Sequence, residues 1–135
     1  MGLNPVFMRI LIVDDHEIVR KGIRTLLSAE RYVVLGEAAD GEEAIEKAEE
    51  LKPDVILMDV SMPRLNGLEA TRRITGTVPK ASVIIVSQHE SSELLRQAVA
   101  AGAKGYVTKS ELGKELLAAL SAIEKGEDFF PKSMP

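Results

Sequence analysis

Ile10-Leu11-Ile12-Val13-Asp14-Asp15 sets an unbroken apolar run against two carboxylates, and this break decides how the chain folds. The same pattern recurs in Val55-Ile56-Leu57-Met58 before Asp59, in Val83-Ile84-Ile85-Val86 before Ser87, and in Gly105-Tyr106-Val107-Thr108 before Lys109. Short apolar runs without alternation read as strands buried on both faces, the habit of a parallel sheet covered by helices. Ligand sites in such sheets lie at the carboxyl ends of the strands. Three carboxylates, a hydroxyl and an ammonium are therefore expected at one edge, a set suited to a divalent cation and a phosphoryl group.

Helical patterns fill the gaps between these runs. Residues 16–29 carry Val19, Ile23, Leu26 and Leu27 as a one-sided stripe. Asp40 reads as the N-cap of a second helix, with Glu43 completing a capping box and Pro53 stopping it after Ala44, Ile45, Ala48 and Leu51. Asn66-Gly67-Leu68-Glu69 repeats that logic for a short helix through Ile74. Ser91 or Ser92 starts a fourth, with Leu94, Leu95, Ala98 and Val99, closed by Gly102. Ser110 starts the last, with Leu112, Leu116, Leu120 and Ile123 on one face. With a further strand over Tyr32–Ala38, the chain alternates strand and helix five times. Parallel strands need crossover connections, so the expected fold is α/β: a flavodoxin-like (βα)5 doubly wound parallel sheet, strand order 2-1-3-4-5, in a single domain.

The 135 residues are enough to bury one core, and 45% apolar with 28% charged residues is ordinary globular composition. A formal charge of −4 gives no general affinity for nucleic acid. The absence of cysteine excludes disulfides, zinc–thiolate sites and thiol catalysis, and fits a cytoplasmic location. No apolar stretch is long enough to span a bilayer. Residues 1–7 lack the features of a secretory signal and read as a leader or native N-terminal extension before Met8.

Asp14 and Asp15 alone could be a helix N-cap and a first-turn acid. Asp59 shifts that balance, because the topology makes the first and third strands neighbours. Three crowded carboxylates raise one another's pKa unless a cation neutralises them, and hard oxygen ligands suit Mg²⁺. Asp59 reads either as a strand-end cap or as a nucleophile able to form an acyl phosphate. Lys109 could be a surface lysine, but its position after a buried run favours contact with Asp59 or its phosphate. Ser87 could cap a helix or donate to a phosphoryl oxygen. Tyr106 by itself reads as a core or edge aromatic. Neither His16 nor His89 is read as a metal ligand.

Val13-Asp14-Asp15, Leu57-Met58-Asp59-Val60-Ser61-Met62-Pro63, Val86-Ser87 and Gly102-Ala103-Lys104-Gly105-Tyr106-Val107-Thr108-Lys109, in this order, resemble the receiver domains of two-component response regulators. The resemblance covers residues 8 to about 125. Asp14-Asp15-His16-Glu17-Ile18-Val19-Arg20-Lys21-Gly22 also resembles the NarL/FixJ subgroup, whose members usually continue into a helix-turn-helix DNA-binding domain. The resemblance implies that Asp59 is the phosphoacceptor. It implies that Asp15, Asp59 and the Ser61 carbonyl bind Mg²⁺ directly, with Asp14 helping through water. Lys109 would pair with the phosphate, and Ser87 and Tyr106 would be the switch hydroxyl and switch aromatic. Two departures stand out: Gln88 follows the switch hydroxyl where many relatives have a small residue, and Ser110 replaces the proline that often follows the lysine, so no cis peptide is expected there.

The implied function is a signalling domain, not an enzyme, that takes a phosphoryl group from a sensor histidine kinase. It would assist its own phosphorylation and dephosphorylation, form a homodimer when phosphorylated, and reach DNA only through a C-terminal domain beyond this chain. Residues 8–125 would be the receiver and residues 126–135 the start of the linker, since exposed paired phenylalanines, Phe129 and Phe130, would be odd at a natural terminus. A stand-alone receiver acting by protein contact is an alternative. A Mg²⁺-dependent phosphohydrolase of the haloacid-dehalogenase type would want an acid at position 61, which is Ser. An FMN binder would want a hydroxyl- or Gly-rich loop where Asp14-Asp15-His16-Glu17 stands. Arg20, Lys21 and Arg24, or Arg72 and Arg73, read as solvated helix faces rather than a DNA-reading surface.

Overall fold

The computed structural model describes residues 7–62, 65–88 and 90–131. Pro63, His89 and the expected leader up to Val6 lie outside the described residues, as do positions 132–135. Five parallel strands, β1 (Met8–Val13), β2 (Tyr32–Ala38), β3 (Val55–Asp59), β4 (Ser82–Ser87) and β5 (Gly105–Thr108), form one sheet in the order β2-β1-β3-β4-β5. This is the order expected from the alternation of strand and helix. Alternate residues of the central strands feed two separate cores. Leu11, Val13, Ile56, Met58, Val83 and Ile85 face one side, while Ile10, Ile12, Val55, Leu57, Ile84 and Val86 face the other. Burial on both faces is why these runs show no polar alternation.

Helices α1 (Glu17–Ser28) and α5 (Leu112–Glu124) cover one face through Ile23, Leu27, Leu116, Ala119 and Leu120. Helices α2 (Gly41–Leu51), α3 (Gly67–Thr77) and α4 (Ser92–Ala101) cover the other through Ala44, Ala48, Ala70, Ile74, Leu95 and Ala98. Val99 of the fourth apolar stripe is instead 52% exposed. The cap residues read from the sequence are in place: Asp40, Asn66 and Ser91 accept from the amides of Glu43, Glu69 and Leu94. Glu43 reaches back to the amide of Ala39, one residue before the cap. Gly102 closes α4 at φ 101°, a left-handed conformation that costs glycine nothing.

Three boundaries differ from expectation. The N-cap position of α1 is His16, which makes no side-chain cap bond, rather than either aspartate. Helix α3 runs one turn past Ile74, because no proline interrupts it before Pro79. Ser110 does not start the last helix: Lys109–Glu111 form a 3₁₀ turn and α5 begins at Leu112.

Beyond α5 the chain turns back along the sheet. Phe129 bridges Gly105 of β5 in parallel, its carbonyl accepting from the Tyr106 amide and its amide donating to the Lys104 carbonyl, both at 2.9 Å. Its ring packs on the α1/α5 core and that of Phe130 on the opposite core. The two phenylalanines are therefore half-buried parts of the domain, not the exposed pair that the sequence suggested.

Candidate functional site

Register brings the acidic residues together. Val13 pairs with Met58, so Asp14 and Asp59, one residue further on, meet at the carboxyl edge. Ser87 pairs with Thr108, which sets Lys109 just beyond at the same edge. Its ammonium lies 2.9 Å from Asp14 Oδ2 and 3.2 Å from Asp59 Oδ1, with a side chain only 14% exposed. One cation thus bridges two carboxylates from different strands. The close approach of α3 fixes the other side: a Cβ on Gly67 would lie 1.9 Å from the Asp59 carbonyl oxygen, and the Gly67 amide donates to the Val60 carbonyl at 2.8 Å.

Burial raises the pKa of Asp59, the charge of Asp14 raises it further, and Lys109 opposes both. Burial alone would lower the Lys109 ammonium, but Asp14 and Asp59 outweigh it and the net shift is upward. Every helix in this topology runs antiparallel to its strand, so helix amino ends gather at this edge and their dipoles favour negative charge. The set still lacks one positive partner. Asp59 Oδ2 is buried and has no hydrogen-bond partner among the described residues, while Asp14 Oδ2 has only the lysine charge beside it. A buried carboxylate oxygen left in this condition is costly. Ligand atoms of Asp14, Asp15, His16 and Asp59 all lie within 4.8 Å of one another, close enough to share one ion. The donors are mostly carboxylate oxygens, so the residues fit a hard divalent cation.

A cleft of about 260 Å³ opens beside the carboxylate, lined by Asp59, Val60, Ser61, Ser87, Gln88 and Leu94. Ser87 is buried in its wall, and the half-buried Ser91, not Ser87, caps α4. Gln88 is exposed at the mouth. Tyr106 is fully buried and packs in the core shared by α2, α3 and α4. The Lys109–Ser110 peptide is trans.

Two residues were passed over by sequence reasoning. His16 turns its ring toward the acids, with Nδ1 at 3.2 Å from Asp14 Oδ1 and 3.1 Å from Asp15 Oδ1. The available signal was its place directly after the acidic pair. Arg20 is not a solvated side chain: it pairs with Glu37 at 2.8 Å and donates to the Asp14 carbonyl at 2.6 Å, tethering the loop that carries the acids. Arg24 also pairs with Glu37.

A doubly wound parallel sheet with a carboxylate–lysine cluster at its strand ends defines a flavodoxin-like domain whose acidic edge fits a divalent cation. The chain belongs to the response regulator receiver domain family, whose model matches residues 10–121, and so is a signalling domain of two-component systems. It is 42% identical over 123 residues to the response regulator GacA of Pseudomonas viridiflava, covering 90% of this chain and 58% of that protein. Among solved structures, a two-component response regulator of the LuxR family from Aurantimonas sp. SI85-9A1 superposes with a TM-score of 0.86 at 41% identity, covering 92% of this chain and 89% of that one. The isolated REC domain of RcsB from Salmonella enterica serovar Typhimurium, in the presence of phosphomimetic BeF3−, gives a TM-score of 0.86 at 31% identity, covering 95% and 96%. The chain spans 53% to 59% of the length of curated relatives that it matches. No helix among the described residues is long and apolar enough to cross a membrane.

Proposed function

We propose that this domain accepts a phosphoryl group on Asp59 from a sensor histidine kinase and changes conformation in response. The observation that carries this reading is the buried Asp59 carboxylate at a cleft, with Lys109 on Oδ1 and no hydrogen-bond partner on Oδ2 among the described residues. A carboxylate oxygen attacks phosphorus, the bond from phosphorus to the donor nitrogen breaks, and its electron pair leaves with the donor. The product is an acyl phosphate on Asp59. Lys109 stabilises the charge that spreads over the phosphoryl oxygens, and the Ser87 hydroxyl donates to one of them. Asp15, Asp59 and the Ser61 carbonyl would hold Mg²⁺, with Asp14 helping through water. When bound, that ion neutralises negative charge between nucleophile and phosphoryl group. The same cleft admits water, which returns Asp59 to the free carboxylate without a separate phosphatase.

Phosphorylation adds charge and acceptor oxygens, drawing Ser87 toward the group and letting Tyr106 follow. That relay shifts the population toward a form that pairs with a second copy. The receiver extends from residue 8 through Phe130, whose ring packs on the domain with that of Phe129, and the linker follows, with residues 1–7 as a leader or native extension. A DNA-binding domain beyond this chain supplies transcriptional output in the cytoplasm; the names of the relatives and the 58% coverage support this part. Incubation with Mg²⁺ and acetyl phosphate, followed by intact mass measurement, tests the core of the reading. One hydroxylamine-labile phosphoryl group is expected on the parent and none on Asp59→Asn. Equal labelling of both overturns it.

A further inference from the structure

We infer that His16 is a metal ligand, and that the acidic site of this chain takes a first-row transition dication such as Co²⁺ or Zn²⁺ through a mixed nitrogen and oxygen donor set. The inference rests on the reading of that site as a cation site and names a donor which that reading does not include. Nδ1 of His16 stands 3.1 Å from Asp15 Oδ1 and 3.2 Å from Asp14 Oδ1. Adjacent ligands on an octahedral ion with bonds of about 2.1 Å are about 3 Å apart, so these separations suit donors on one ion as well as they suit the ion pair. Without an ion the ring pairs with the two carboxylates, a contact that a bound cation would replace, and it has no capping task. His16 occupies the N-cap position of α1 yet makes no side-chain cap bond, and its own amide donates to Asp14 Oδ1 at 2.8 Å, which fixes the loop. The other side of the ring faces solvent, for the side chain is 58% exposed.

A second observation concerns the member of the cluster that comes from another strand. Asp59 Oδ2 is buried without a hydrogen-bond partner among the described residues, on a side chain only 4% exposed. Imidazole is a poor ligand for Mg²⁺ and a good one for Co²⁺, Ni²⁺ and Zn²⁺. The site therefore discriminates between dications through one residue: His16 adds affinity for the transition ions and none for Mg²⁺. A His16 that merely paired with the carboxylates would hinder both classes of ion alike.

The test is titration of the parent and His16→Asn with Co²⁺ and with Mg²⁺ by calorimetry, with proton NMR of the Co²⁺ forms. Asparagine is itself a good N-cap, so the variant keeps α1. Co²⁺ affinity should fall roughly tenfold or more in the variant, at least what loss of an outer-shell partner costs, while Mg²⁺ affinity stays within about twofold. The parent should show imidazole ring protons shifted by the paramagnetic ion, and the variant should lose them although His89 remains. Unchanged Co²⁺ affinity, equal losses for both ions, or retention of the shifted signals overturns the role of His16. A parent that binds neither ion overturns the cation site itself, and so separates the two failures.

Discussion

Burial and then the neighbouring Asp14 push the Asp59 carboxyl above its ordinary value, and Lys109 offsets only part of that. Between the ordinary value kept by the unfolded chain and the raised folded one, the native state holds more protons than the unfolded state. Stability of the metal-free domain must then fall as pH rises through that window, and stay lower above it. Asp59→Asn removes this dependence. Without metal at pH 7 the variant should be more stable than the parent by on the order of 1 kcal/mol, or roughly 3–6 °C in Tm. The difference should shrink as pH is lowered toward the usual carboxylate range, which melting curves across pH will check. Mg²⁺ at about 100 times its Kd should raise the parent by about 2.7 kcal/mol and the variant by less. A variant less stable than the parent at neutral pH would mean that Lys109 outweighs burial. At this scale the acids and the lysine were legible because each follows an apolar run. His16 and Arg20 were not, since one exposed ring and one helix-face guanidinium carry no periodic signal, and the partner of Arg20, Glu37, lies on β2.

The start of α3 and the end of β3 form a joint with no spare volume. A Cβ on Gly67 would meet the Asp59 carbonyl oxygen at 1.9 Å and its carbon at 2.9 Å, both main-chain atoms that cannot rotate away. Gly67→Ala should cost about 2–3 kcal/mol by urea denaturation, and should also weaken Mg²⁺ binding, because relief requires moving the Asp59 peptide. Gly22, in the middle of α1, has open space around its missing Cβ, so Gly22→Ala should instead add about 0.5–1 kcal/mol. Equal effects at the two positions would show that helix propensity, not the joint, governs both. Element order and most caps were readable, because Asp40, Asn66, Ser91 and Gly102 act locally. The 3₁₀ turn at Lys109–Glu111 was not, for it depends on where Lys109 must point rather than on the identity of Ser110.

Across the whole molecule, the sheet has two margins and the tail closes one of them. Sequence gave no warning of this, since Phe129 and Phe130 lie outside any helical or alternating pattern and their burial depends on β5 being an edge. Removing residues after Gly126 strips two half-buried aromatic rings and should cost about 2 kcal/mol in urea denaturation. An unpaired edge invites other strands, so the shortened chain should also self-associate at high concentration, as sedimentation would detect. A chain that keeps its stability and remains monomeric would show that the tail only rests on the surface. Because the Tyr106 amide donates outward to Phe129, away from β4, its proton would face water whenever the tail lets go. Its hydrogen-exchange rate is therefore a one-residue clock for tail docking, running beside the aromatic ring proposed to answer the phosphoryl group. Adding beryllofluoride should change the pace of that clock, and an unaltered rate would uncouple the exit of the chain from its switch.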